Sequence, residues 1–438
     1  MSGGLLGELI EFNQYEYYRD RVNGLIEPVL AMQEAGLLVD RTRLTQVRDR
    51  LDLERQLLQL QLNHKVGFDC NVRSPTDMRY LISDVLKISG LVKQTKKGKP
   101  STDKETLLTL AYGSPHAEIF STILEVRKRR TLLSGFLGME VGPDGRYRAR
   151  YKIHGTDSGR LSSQSPGGFE GGKGPQLQNI PKFARQLFVA PPGKTFAAAD
   201  LRRAEAMFVA FDSGDAGLIE VFKDETRDLY AEFASDSLGK SIKKGDVERE
   251  VFKTVTHGAN YGMGPGMLIK VLRIRGINIE DIHIPGCFTN MQKAEFLIEA
   301  YHRRYPAIRQ VWHKKIRENL YRNRVLYDGF GRRRFFMGRL YGKDAANTER
   351  IAFSYPPQAT IVEITNQAIR RLHAEGWMVV LQVHDSVMVE CRDDEVNRCC
   401  EAIDRALIHR FELLGGTLEI PRDISVGKSW GSLEPWKP

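Results

Sequence analysis

The chain has 438 residues, 41% of them hydrophobic, with 65 Lys and Arg against 55 Asp and Glu and a formal net charge of +10. That length supports two or three subdomains with proper cores, and the basic balance favours a polyanionic partner, since each neutralised phosphate releases counterions. No apolar run reaches the length of a membrane span, the amino terminus is neither a secretory signal nor a transit peptide, and the five cysteines show no C-x-x-C spacing. These features predict a soluble intracellular protein in a reducing compartment, with no membrane partner, disulfide framework or zinc site.

In chain order, residues 20–66 read as helical, with Leu44, Val47, Leu51, Leu58 and Leu62 forming an apolar stripe. Ser74-Pro75 reads as a helix start. A lysine loop follows, with Lys96, Lys97 and Lys99, ending at Thr102, whose spacing to Glu105 predicts a capping box. Residues 116–136 read as a further helix carrying the cationic block Arg127 to Arg130. This basic helical region is suited to gripping a duplex through its phosphates without reading sequence. Near residue 145 the texture changes. Tyr147 to Ile153 alternates as a strand does, and a Gly-rich patch at 167–174 reads as a surface loop.

Residues 195–200, Thr-Phe-Ala-Ala-Ala-Asp, read as a short buried strand ending in a carboxylate, with a helix continuing from Leu201 to Phe211. At 378–391, two β-rich runs flank His384-Asp385 at a tight hairpin turn, which presents a second Asp at a strand end. A buried carboxylate is costly unless paired or bound to metal, so two at strand ends point to one shared site. Between them, 217–345 reads as largely helical, with a long helix at about 291–304 and another to about 323. A basic turn, GFGRRRFF, and a helix over 350–372 follow.

Within the helical stretch, Arg249, Lys253, His257 and Tyr261 recur every fourth residue, which aligns them along one face of a helix. Two cations, an imidazole and a phenol in a row suit a polyphosphate at one end and a flat, sugar-linked ring at the other; a solvated face with chance spacing is the competing reading. Two carboxylates on neighbouring strands can hold two divalent ions roughly 3.5–4 Å apart, the arrangement that serves in-line displacement at phosphorus. Magnesium, which takes oxygen ligands and shares phosphates with carboxylates, is the expected ion. Arg249 and Lys253 would neutralise the outer phosphates.

The residues reached so far resemble the polymerase region of family A DNA polymerases, the group that includes bacterial DNA polymerase I, from about residue 20 to about 432. Asp200-Leu-Arg-Arg-Ala-Glu205 resembles the family's first palm motif, and Arg249, Lys253, Tyr261 and Gly262 match R-x3-K-x7-YG of its fingers helix. Gln382-Val-His-Asp385 is similar to the third motif. TDSGRLSS, LQNIP, FGRRR at 330–334 and the F-x-x-P-x-Q segment carrying Gln358 add support.

The resemblance implies an α+β right-hand polymerase with an antiparallel-sheet palm and mostly helical fingers and thumb. A lead-in would span 1–35, the thumb 36–145, the palm 146–216 and 347–438, and the fingers 217–346. It implies that Asp200 and Asp385, with the Leu201 carbonyl, hold two Mg²⁺ ions that Mn²⁺ can replace. Arg249 and Lys253 would bind the incoming triphosphate, with Lys253 also protonating the leaving pyrophosphate. Glu205, held by Tyr261, would exclude a ribose 2′-hydroxyl, and His257 and Tyr230 would line the dNTP site. Arg160, Gln178, Gln358, His384 and Arg350 would contact primer–template DNA. Minor-groove acceptors are shared by all correct pairs, so such contacts test geometry without reading sequence.

Four positions depart from the family pattern. His257 stands where Phe or Tyr is usual, Ser386 replaces the Glu after the catalytic Asp, Tyr230 replaces a phosphate-contacting His, and Ser354 an Asn. Nucleotide affinity and selectivity are expected to differ from those of bacterial relatives while the reaction does not. The chain has little room upstream for a proofreading exonuclease, so neither 3′–5′ exonuclease nor 5′-nuclease activity is expected in it. A separate exonuclease, a helicase or a processivity factor is a candidate partner, and the setting stays open among viral, organellar and repair roles in the cytoplasm or a host's. The rival readings are a single-subunit RNA polymerase, against which Glu205 argues, a non-catalytic primer–template-binding relative, and a nuclease, which would not need the triphosphate helix.

Overall fold

The computed structural model describes residues 4–88, 93–95, 98–164 and 174–437. Lys96, Lys97 and most of the Gly-rich patch lie outside the described residues. Two compact units emerge, one of Met1–Leu37, Arg150–Ser163 and Ala190–Pro438, the other of Leu38–Ala149 and Gln164–Val189. The protein is α+β.

The second unit is built on the helix Arg41–Val66, started by Asp40, whose carboxylate accepts from the Arg43 amide, and stopped by Gly67 at φ +79°. The expected helix over 20–66 is broken, because Gly36 turns the chain at φ 57° and Leu37–Val39 runs as a strand. Leu62, Met78, Leu81, Leu107, Leu110, Phe120 and Ile123 fill the core, and each such buried side chain contributes about 1.5–3 kcal/mol. Ser74 caps its helix as expected. The box at Thr102 does not form. Asp103 caps the helix Lys104–Gly113 instead, accepting from the Thr106 amide at 2.8 Å, while the Thr102 carbonyl accepts from Arg127. The cationic block is thus partly internal. Arg127 bonds the Val72 and Thr102 carbonyls, and Arg129 pairs with Glu54.

The first unit is organised by a five-stranded antiparallel sheet. Its strands are β1 (Lys194–Leu201), β2 (Val379–Val383), β3 (Ser386–Arg392), β4 (Arg422–Gly427) and β5 (Glu434–Pro435), in the order β5-β4-β1-β3-β2. Valines and small alanines let most of β1, β2 and β3 bury, while Asp200 near the end of β1 is exposed. Against this unit's core lie α1 (Ala204–Ser213), α2 (Leu229–Leu238), α3 (Val247–Asn260), α4 (Asn290–Arg304) and α5 (Ala345–Ala374). The expected helix from Leu201 begins three residues later because β1 runs on through Leu201 and Arg203 turns left-handed. Among the described residues, no helix is long and apolar enough to cross a membrane.

Candidate active site

The β1 strand brings Asp200 to the sheet's end in the centre of a cross-strand row, opposite Ser386 of β3 on one side and Asp423 of β4 on the other. The tight β2–β3 turn is closed by His384 at φ 54°. Its carbonyl accepts from the Gln382 amide at 2.5 Å, and the Ser386 hydroxyl donates to the Val383 carbonyl at 2.8 Å. The Leu201 amide bonds the Asp385 carbonyl at 3.2 Å, which fixes Asp385 beside the end of β1. The two expected carboxylates therefore sit on adjoining strand ends.

Asp385 has no cationic hydrogen-bond partner among the described residues. Burial pushes its carboxyl above the usual range and the Glu205 charge adds to the push, while its own backbone, His384 and Arg160 oppose it. A half-buried carboxylate in a negative field is relieved by a cation. Among the described residues no cluster of three or more His, Cys, Asp or Glu is assembled. The donors present are oxygens, two carboxylates and the chain's carbonyls, and they fit a hard divalent ion that shares its remaining positions with phosphate and water.

The helix α3 is amphipathic for two different neighbours. Val251, Phe252, Val255, Ala259 and Asn260 are buried. Phe252 meets Phe233 of α2 edge-on at 4.6 Å, and the Asn260 carbonyl accepts from His313 Nε2 at 2.7 Å. That leaves Arg249, Lys253 and His257 on the other face. Tyr261, expected as the fourth member of the stripe, stands just past the helix as its C-cap. Gly262 follows at φ +69°, where a Cβ would meet the Phe353 ring at 3.1 Å, so the family's YG pair has a local steric basis.

Tyr230, second residue of α2, is the hub of this face. Its hydroxyl lies 3.1 Å from His257 Nε2, and its ring centre lies 5.4 Å from the Arg249 guanidinium carbon and 5.9 Å from Lys253 Nζ. Burial raises the Tyr230 phenol to about 12 and holds His257 below its ordinary value, so both rings are neutral near pH 7. Asp228 caps α2 through the Tyr230 and Ala231 amides and also takes Arg249 Nε at 2.7 Å. Composition and spacing gave no hint of this second duty; the only signal was an Asp two residues ahead of Tyr230.

Glu205 joins the two halves of the site. It accepts from the Tyr261 hydroxyl, as the resemblance implied, and also from Arg160. Burial and the Glu205 charge together raise the Tyr261 phenol well above its ordinary value. The remaining expected positions are less concentrated. Gln358 is half-buried on α5, Arg350 is also on α5 and donates to Asn347, and His384 is exposed at the hairpin. Gln178 sits on the short turn Leu177–Asn179 of the other unit.

The profile of DNA polymerase family A matches residues 41–432. DNA polymerase I of Pseudomonas aeruginosa is 28% identical over 429 residues, covering 92% of this chain and 43% of that protein. The thermostable DNA polymerase I of Thermus filiformis is 29% identical, covering 92% and 47%. The DNA polymerase of Escherichia phage T5 is 26% identical, covering 83% and 44%. The chain thus spans less than half the length of these curated relatives. The polymerase domain of Pol1 from M. smegmatis, solved with DNA primer–template and dNTP, shares the fold at a TM-score of 0.81 and 22% identity, covering 98% of this chain and 73% of that one. With its paired strand-end aspartates and its Arg-Lys helix running into Tyr261-Gly262, the chain belongs to DNA polymerase family A.

Proposed function

We propose that the chain is a template-directed DNA polymerase that adds dNTPs to a primer 3′ end. The observation that carries this reading is the Tyr261–Glu205 bond. It ties the end of the cationic helix to the helix that follows Asp200, so the phosphate-binding face and the carboxylate pair belong to one site. The relative from M. smegmatis, solved with primer–template and dNTP, supports the same partners here.

In this reading Asp200 and Asp385, with the Leu201 carbonyl, hold two Mg²⁺ ions, replaceable by Mn²⁺. When bound, the ions supply an activated attacking oxygen and a stabilised leaving one. Lys253 and Arg249 neutralise the outer phosphates, and Lys253 hands a proton to the departing pyrophosphate. Glu205, clamped by Tyr261 and Arg160, fills the space that a 2′-hydroxyl would need, and His257 lies beside the sugar. Arg160, Gln178, Gln358, His384 and Arg350 hold the primer–template. Residues 36–145 act as thumb, 217–346 as fingers, and 146–216 with 347–438 as palm.

Primer extension on a defined template with Mg²⁺, comparing dNTPs with NTPs, tests the proposal. Template-directed extension with dNTPs is expected; duplex binding with no extension by either nucleotide class would overturn it in favour of a binding-only relative.

A further inference from the structure

The basic turn at 330–334 closes a hairpin of two short strands, Val325–Tyr327 and Arg333–Phe335. Its register decides which side chains meet water. Tyr327 stands opposite Arg333, so the two share a face, and Phe335, two residues beyond Arg333, lies on it too. Arg334 points the other way, its guanidinium carbon 5.3 Å from the Tyr355 ring centre of α5. The outer face keeps its aromatics in solvent, with Tyr327 53% exposed and Phe335 47%. A third ring comes from the start of the chain. The Gln14 side chain accepts from the Arg333 amide at 2.9 Å and donates to the Gly331 carbonyl at 3.0 Å. That clamp sets Phe12, 41% exposed, against the Arg333 guanidinium, 4.0 Å from ring centre to carbon.

Beside this face opens a cleft of about 820 Å³, with Phe12, Tyr327, Arg21, Arg370 and Arg371 in its walls. Its charges do not cancel. One oxygen of Glu363 serves both Arg21 and Arg370. Arg371 donates to the Ala406 and Ile408 carbonyls at 3.1 and 3.2 Å. Neither Arg371 nor Arg333 has a carboxylate partner among the described residues. Of the acids in the walls, Glu16 and Asp20, Asp20 is already held by Arg19. Four arginines therefore stand against Glu363 and Glu16.

Exposed rings gathered in one place mark an interaction surface, and the arginines among them select the partner. An apolar protein face would take Arg333 and Arg371 out of water without a counter-charge. A single-stranded polynucleotide meets both needs, with a free base face for each ring and a phosphate for each guanidinium. A duplex offers only the phosphates, because its bases are already stacked. We propose that this hairpin face and its cleft bind single-stranded DNA, at a place that shares no residue with the candidate active site. Bases stack on Tyr327 and Phe335, and the backbone runs from Arg333, steadied by Phe12, towards Arg371.

The test is fluorescence anisotropy of a labelled oligo(dT) of about 16 nucleotides. Unlabelled blunt duplex is kept in excess, so that the primer–template site is filled. The wild-type chain should still bind the oligonucleotide. Tyr327→Ala combined with Phe335→Ala should weaken the Kd about tenfold or more, while Tyr327→Phe keeps wild-type affinity. Arg333→Gln should lower the slope of log Kd against log salt by about 0.7, the share of one single-strand phosphate contact. Loss of all wild-type binding once duplex is present would overturn the proposal. So would wild-type affinity in the double alanine variant or an unaltered salt slope in Arg333→Gln. Equal competition by dTMP and by unlabelled oligo(dT), at one nucleotide concentration, would also overturn it, since the site would then take a mononucleotide and not a strand. The readout is binding, so it decides the matter whether or not the chain extends a primer.

Discussion

The Tyr230 hydroxyl and the His257 imidazole are hydrogen-bonded at 3.1 Å, so two of the positions at which this sequence departs from the family pattern are one physical unit. By the family resemblance, a phenol stands at 230 where an imidazole is usual, and an imidazole at 257 where Phe or Tyr is usual. Changing one alone strands the other's polar atom. Tyr230→Phe should therefore cost about 0.5–1.5 kcal/mol of stability. In a double-mutant cycle with His257→Phe, the effects on stability and on dideoxy-versus-deoxy selectivity should be smaller together than summed. Additive effects in both readouts would mean that the pair is not coupled.

The metal assignment predicts that Asp200→Asn and Asp385→Asn each slow extension by on the order of 10³-fold or more, since the ions supply several kcal/mol of charge stabilisation. Primer–template binding, measured by anisotropy, should stay nearly unchanged. Extension at the wild-type rate by either variant would refute the assignment.

Glu205 is held from two sides, by Tyr261 and Arg160, which makes it a rigid block. Glu205→Ala should raise the efficiency of NTP use relative to dNTP by about 10²-fold, and Tyr261→Phe should do so by less. Unaltered sugar preference in Glu205→Ala would remove Glu205 as the gate.

Acid should destabilise the protein through its buried histidines. Burial lowers His302 to about 3 and His313 to about 4. Below the ordinary histidine value the unfolded chain takes up protons that the native state refuses, so their contribution to stability falls as pH drops from about 6.5. Asp328, raised to about 6 by burial, works the other way but offsets only one of the two. His302→Leu also removes a buried Nδ1 that has no hydrogen-bond partner. It should flatten the stability slope between about pH 4 and 6 by about 1.4 kcal/mol per pH unit. Urea melts across that range would show it, and an unchanged slope would argue against a neutral His302.

Where the chemistry is local, the sequence was readable. A short apolar run ending in Asp placed β1, two β-rich runs placed β2 and β3, the hairpin turn was visible at His384-Asp385, and four-residue spacing found α3. The features missed depend on partners far away in the chain. Thr102 lost its capping box because Asp103 stands nearer to the first free amide and Arg127, 25 residues on, takes the Thr102 carbonyl. The cationic block at 127–130 reads as part of a duplex-gripping region, yet Arg127 and Arg129 support the fold. Asp228 as a latch on Arg249, and Arg203 as an arginine in a glycine-like turn, carry no periodic signal at all.

The strand that carries Asp200 lies between β4 and β3, and that placement governs how the protein must be made. When residue 201 leaves the ribosome, both edges of β1 are bare. One stays so until residue 392 has been synthesised and the other until residue 427. An unpaired, alanine-rich strand of this kind is open to the wrong partner for the time it takes to add more than 200 residues, at roughly 5–20 per second. The catalytic sheet can close only after nearly the whole chain has emerged, so translation that stops short of β4 should yield aggregates and not a weakened enzyme.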